Sequence, residues 1–159
     1  MNTRVHDIPT ARASSEPATS RGAAPLVTPI VHEIDLPGAA SSVSQGRRFV
    51  ASCLDELGLE SRRDDVVLMT SELLTNSVLH GRGDVGLVVS WLAPFLEVAV
   101  TDHGCGIGRR TAPHAFSTSG RGLQLVEQLA TRCGTRGSST ETTVWFALLV
   151  DPCQPVESE

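Results

Sequence analysis

Lysine is absent: all 13 basic residues of the 159 are arginine. This excludes a Walker A lysine, a Schiff-base lysine and the strand lysine of eukaryotic-type protein kinases. Any phosphate bound here must be held by backbone N–H groups, arginine or a metal. Long apolar runs are missing too. None approaches the ~18 residues that a membrane-spanning helix needs, and the first residues contain no apolar core of a secretory signal. Cys53, Cys105, Cys133 and Cys153 form no CxxC pair and no cysteine–histidine cluster with zinc spacing. They read as reduced thiols of a soluble, cytoplasmic protein, mostly filling its core. A net charge of −5 argues against a nucleic-acid partner.

A hydrophobic fraction of 40% is enough for one core. Residues 1–28 are rich in Ala, Ser, Thr, Pro and Arg and short of large apolar side chains. They cannot bury enough surface to offset their ordering entropy, so a disordered N-terminal tail is expected. Residues 152–159 are expected to form a short C-terminal tail, which places the folded domain at 29–151. Within it the patterning predicts a strand over Ile30–Leu36, a helix over Ala39–Leu57 stopped by Gly58, and a helix capped by Asp64 or Asp65 and stopped at His80-Gly81. A hairpin follows, Val85–Trp91 and Phe95–Thr101 joined through Leu92-Ala93-Pro94. A glycine-rich loop leads to a helix over Gly122–Thr131 and strands near Arg132–Arg136 and Thr142–Val150. This order predicts an α+β fold: a two-layer sandwich with a mixed, mostly antiparallel sheet and helices on one face.

Three local signals carry chemistry. On the second helix, SELLTNSVLHG spaces Glu72, Asn76 and His80 four apart, so they descend one face in steps of roughly 40°. A carboxylate one turn before a carboxamide suits phosphoryl transfer: the amide oxygen can ligate Mg²⁺ while the carboxylate orients or deprotonates a nucleophile. His80 can touch a phosphate or a partner, or simply end its helix as a cation. Next, the apolar strand ending at Asp102 runs into HGCGIG, whose glycines let the backbone approach a ligand closely. Asp102 offers an acceptor to an exocyclic amine such as adenine N6. Third, the stretch STSGRGLQLV puts a Ser/Thr/Gly loop at a helix start, where unpaired N–H groups and the helix dipole make a phosphate seat. Taken singly, each has a plain explanation: a solvated stripe, a tight glycine turn, a capped helix.

Together, and in this order, ExxxN on a helix, DxGxG after a strand and GxG at a helix start resemble the N, G1 and G2 boxes of the GHKL (Bergerat-fold) ATPases. The closing TTVWF is similar to the last strand of that fold. The ELxxNxxxHG form and the short gap before the third box most resemble the stand-alone histidine-kinase-like domains of bacterial anti-sigma regulatory factors, which are serine-protein kinases. The resemblance covers roughly residues 30–150. It implies ATP and Mg²⁺ as cofactors, Glu72 as general base toward a partner's serine, and Asn76 as magnesium ligand. It implies Asp102 at the adenine amine, Gly104 and Gly106 shaping the adenine pocket, and Thr143 assisting. Gly120, Arg121, Gly122 and Leu123 would present N–H groups to the phosphates under a lid over 109–119.

The function this implies is an ATP-binding, anti-sigma-factor-like regulator that phosphorylates a serine of an anti-sigma antagonist and sequesters a sigma factor. A homodimer is implied as well, and no membrane partner is expected. The alternative is a non-catalytic ATP-binding module that only sequesters its partner. The ATP-binding half of a two-component histidine kinase fits poorly, because His6 and His32 lie in no long upstream helix that would carry a phosphoacceptor.

Overall fold

In the computed structural model, residues 28–103 and 120–150 are described. The expected tails, apart from Thr28, and the lid over 109–119 lie outside them. The element order is β1 (Ile30–Leu36), α1 (Ser41–Leu57), a 3₁₀ turn (Glu60–Arg62), α2 (Arg63–His80), β2 (Val85–Leu92), β3 (Phe95–Asp102), α3 (Gly120–Leu129), β4 (Arg132–Gly137) and β5 (Thr142–Leu149). The five strands form one sheet in the order β1-β2-β3-β5-β4. All four pairings are antiparallel, so among the described residues the α+β sandwich holds an antiparallel sheet where a mixed one was expected.

Strand alternation divides the sheet into two faces. Val85, Leu87 and Val89 of β2, Leu96, Val98 and Val100 of β3, and Val144, Phe146 and Leu148 of β5 join one core cluster with helix residues that include Val50, Leu54, Met69, Leu73 and Val126. The helices therefore cover a single face, with α2 packed against both α1 and α3.

Gly46 lets α1 approach closely: a side chain there would run into Leu74 and come within 3.2 Å of Leu87. The glycine that lowers helix propensity is thus what seats α1 against α2 and the sheet. Gly58 ends α1 in the left-handed region at φ 68°, its N–H turned back to the Asp55 and Leu54 carbonyls, a conformation open to glycine without steric cost.

Several boundaries shift by one or two residues, the third helix running over Gly120–Leu129 rather than Gly122–Thr131, and two differ for plain physical reasons. The second helix starts at Arg63, directly after the 3₁₀ turn, with no side-chain cap; Asp64 and Asp65 lie inside its first turn, where negative charge favours the helix dipole. Leu92 pairs with Phe95, so the hairpin connection shortens to Ala93-Pro94.

Candidate functional site

The second half of α2 is the spine of the site. Its apolar positions Val66, Met69, Leu73 and Leu74 are buried, which orients the remaining faces. Thr70 and Ser71 donate their hydroxyls to the carbonyls of Val66 and Val67, each at 2.7 Å, and so are satisfied within the helix. Glu72 and Asn76 are half-buried, whereas His80, the last helical residue, is exposed.

The surroundings of Gly122 locate the Glu72 carboxylate. A side chain at Gly122 would collide with Glu72 Oε2 and come 2.9 Å from its Cδ. The first turn of α3 therefore lies directly against this carboxylate. Helix geometry leaves the N–H groups of the first four residues without intrahelical acceptors, and in α3 those residues are Gly120, Arg121, Gly122 and Leu123. Arg121 is exposed, while the Leu123 side chain is buried in the core, anchoring the turn that presents these groups.

Farther along, α2 terminates on Asp102. A side chain at Gly81 would come 2.7 Å from Asp102 Cγ and 2.8 Å from its Cβ, so this position must stay small for the helix end to rest on the strand end. Asp102 is only 6% exposed, on the helix-covered face. The chain leaving β3 is tied to the chain leaving α2 by the His103 N–H, which donates to the Arg82 carbonyl at 3.3 Å. His103 Nδ1 lies 3.5 Å from Glu141 Oε1, just before β5 begins.

Register decides which threonine accompanies Asp102. Thr142 pairs with Asp102 and Thr143 with Thr101, and paired residues share a face. Thr142 is accordingly buried beside Asp102. Thr143 shares a 2.8 Å hydroxyl hydrogen bond with Thr101 on the face away from the helices. The structure thus keeps Thr143 apart from Asp102 and puts Thr142 in the place assigned to it, because side chains alternate at every residue of a strand. Gly104 and Gly106 lie outside the described residues.

Ser77, next to Asn76, was not singled out from sequence. It is 2% exposed, and among the described residues its Oγ is the buried side-chain polar atom without a hydrogen-bond partner. Its carbonyl accepts the Gly81 N–H at 2.7 Å, so it belongs to the same helix end that covers Asp102. A hydroxyl one turn after buried Leu73, where a core side chain would be expected, is the signal that could have found it.

These features fit a nucleoside triphosphate. A buried carboxylate offers an acceptor at one end, and an unsatisfied buried hydroxyl needs a partner beside it. A helix N-terminus stands at the other end. Gly81 follows Glu72 by nine residue steps, about 13 Å along the axis of α2, which is the scale of a nucleoside triphosphate from its base to its γ-phosphate. Among the described residues no group of three His, Cys, Asp or Glu side chains could hold a metal. Magnesium held by Asn76 would complete its shell with phosphate oxygens and water, a usual arrangement for this ion.

Fold and site together define an ATPase-like class: a helix-covered antiparallel sheet in which two helix ends and a strand end converge along one helix. The chain belongs to the family of histidine kinase-like ATPase domains, whose model matches residues 36–148; domains of this GHKL type bind ATP, generally with Mg²⁺. Among solved structures the chain is similar to the histidine kinase domain of the blue-light activated histidine kinase EL346 from Erythrobacter litoralis. The identity is 20% and the TM-score 0.49, with 67% of this chain and 64% of that one covered; the chain therefore spans just under two thirds of that domain. No curated protein matches. Among the described residues no helix is long and apolar enough to cross a membrane.

Proposed function

We propose that the protein is an anti-sigma-type regulator that uses ATP to phosphorylate a serine of a partner protein and holds a sigma factor in its nucleotide-bound state. One observation carries this reading: the Glu72 carboxylate stands against the first turn of α3, one helical turn before Asn76. A pocket that only retained nucleotide would gain nothing from a carboxylate where phosphates are to sit, since like charges repel. A carboxylate there has a use if a hydroxyl is to be deprotonated beside the γ-phosphate.

In the proposed reaction the partner's serine Oγ attacks the γ-phosphorus and Glu72 takes the hydroxyl proton. The bond to the β–γ bridging oxygen breaks, and ADP leaves with that electron pair. The N–H groups of Gly120, Arg121, Gly122 and Leu123 hold the phosphates, and the Arg121 guanidinium adds a positive charge. Asp102 accepts a hydrogen bond from the adenine amine, with Thr142 and Ser77 offering hydroxyls beside it. Bound magnesium would spread the charge that develops on the phosphate oxygens, and Asn76 Oδ1 would be its ligand from the protein.

A pull-down from the native cytoplasm with and without Mg-ATP, followed by phosphosite mapping of what is retained, tests this. Labelled phosphate from ATP is expected on a partner serine. Glu72→Gln should lower the transfer rate by about 10²–10⁴-fold, the range for loss of a general base, while ATP still binds. ATP binding with no transfer to a retained partner would instead make the protein a sequestering module. Wild-type ATP affinity in both Asn76→Ala and Asp102→Ala, measured by calorimetry, would remove the pocket assignment.

A further inference from the structure

Beyond the pair Asp102–Thr142 the β3–β5 ladder ends, and element ends are where a fold opens first. Inward, the ladder continues through Thr101–Thr143 and on to Phe95–Leu149, so that side is secured by the sheet itself. Outward, the next residues of the two chains are His103 and Glu141, and their side chains meet: His103 Nδ1 lies 3.5 Å from Glu141 Oε1. The contact is an ion pair only while the imidazole is protonated. A titratable contact thus stands one residue from both partners at the adenine end of the site.

Each side chain is delivered from an anchored backbone. The His103 N–H donates to the Arg82 carbonyl at 3.3 Å, and the imidazole passes over the turn at Gly83, where a side chain would begin 3.8 Å from Cδ2. The Glu141 carbonyl accepts the Ser138 N–H at 2.9 Å, and any side chain at Gly137 would collide with that carbonyl. Ser138 and Thr140 share a hydroxyl hydrogen bond of 3.2 Å within the same turn. Three connections therefore converge on this contact: from α2 to β2, out of β3, and from β4 into β5. The other titratable or charged groups on these elements are His80, Arg82 and Asp84 at and after the end of α2, Asp102 on β3, and Arg136 on β4. Arg136 is engaged by Glu97 at 3.2 Å.

Resting on the reading of Asp102 and Thr142 as the adenine end, we propose that His103 and Glu141 are its positioning pair. Closed, with the imidazole protonated, the pair holds the ends of β3 and β5 in register, and ATP binds more tightly in mild acid than in mild base. Neither residue needs to touch the nucleotide. When the pair opens, Asp102 and Thr142 become the frayed end of the ladder. The fraction of molecules ready to bind then falls, and the apparent affinity falls in proportion. The side chains are 58% and 52% exposed, and an exposed ion pair shifts such an equilibrium by only a few-fold. The pair therefore tunes affinity and does not abolish it. Direct attraction between an imidazolium and the phosphates would also favour acid, but it would not require Glu141.

Calorimetry of Mg-ATP binding to the full chain between about pH 6 and about pH 8, where histidine changes charge, tests the proposal. Circular dichroism checks that each variant is folded. Each affinity is taken relative to Glu141→Gln at the same pH, which cancels the titration of the phosphates and of His80. The wild type should bind about two- to fivefold more tightly than Glu141→Gln at about pH 6, and equally at about pH 8. His103→Arg, permanently charged, should keep that advantage at both, and adding Glu141→Gln to it should remove the advantage. A wild-type ratio indifferent to pH, a His103→Arg variant as weak as Glu141→Gln, or a double variant as tight as His103→Arg would each overturn the proposal. Only binding is measured, so the test does not depend on phosphotransfer. A wild type that binds no ATP would remove the pocket assignment, and the proposal with it.

Discussion

In the proposed site Asp102 and Thr142 form the pair at the adenine end; they are cross-strand partners, and a one-residue change of strand phase would separate them. Thr142→Val removes a buried hydroxyl beside Asp102 and is expected to weaken ATP binding about three- to tenfold, the range for one hydrogen bond. Thr143→Val removes only the bond to Thr101 and should leave affinity unchanged; calorimetry on both variants checks the assignment. Cys53 makes a separate prediction. Burial first, then the nearby Glu56, pushes its thiol up from 9.0 to about 11. The folded state therefore resists an ionisation that the unfolded chain undergoes at lower pH. That contribution to stability is fully present below pH 9 and is lost as pH rises toward 11. Urea unfolding across this window should show a steeper decline in the wild type than in Cys53→Val, which keeps only the smaller share of Cys133, also raised by burial and then by Glu127.

At the scale of elements, α2 and α3 meet where a missing side chain makes room for a functional one. Gly122→Ala puts a methyl group into the Glu72 carboxylate while keeping the backbone N–H that a phosphate needs. If Glu72 acts as the base, phosphotransfer should fall about a hundredfold, the cost of a misplaced catalytic group, and ATP affinity should change by only a few-fold. Steady-state kinetics beside calorimetry separate these effects. Gly46 plays the corresponding role for the fold. Alanine there gains about 1 kcal/mol of helix propensity but is driven into Leu74 in a filled core, where overpacking costs about 1–3 kcal/mol. Net destabilisation of about 1 kcal/mol is expected by urea denaturation. Sequence placed α1, α2 and α3 correctly to within a few residues, because apolar periodicity and glycine stops are local properties. It could not show that two of the glycines inside these helices, Gly46 and Gly122, are the points of closest approach, since that depends on which helix lies next to which.

At the scale of the molecule, ligand and fold stabilise each other. ATP that binds only the folded chain should raise stability by about 2.7 kcal/mol at a hundred times its Kd, and Asp102→Ala should abolish most of that gain. A thermal-shift titration with Mg-ATP reads this without requiring catalysis. The sheet order matters to the same end. Because β5 inserts between β3 and β4, the start of β5 meets the end of β3, and Thr142 reaches Asp102 across 40 residues of chain.

The linear pattern alone determined the element order and the helix-covered sheet, and it singled out Glu72, Asn76, Asp102 and the glycines around Arg121 as candidates. Each of these follows from short-range periodicity, from turn chemistry or from residues that only certain reactions require. Tertiary structure decided the rest: that Thr142 rather than Thr143 pairs with Asp102, that the Ser77 hydroxyl lies buried with no hydrogen-bond partner among the described residues, and that Gly81 and Gly122 are the tight contacts. Those outcomes depend on register and on the approach of segments far apart in the chain, and local preference along the backbone does not encode them.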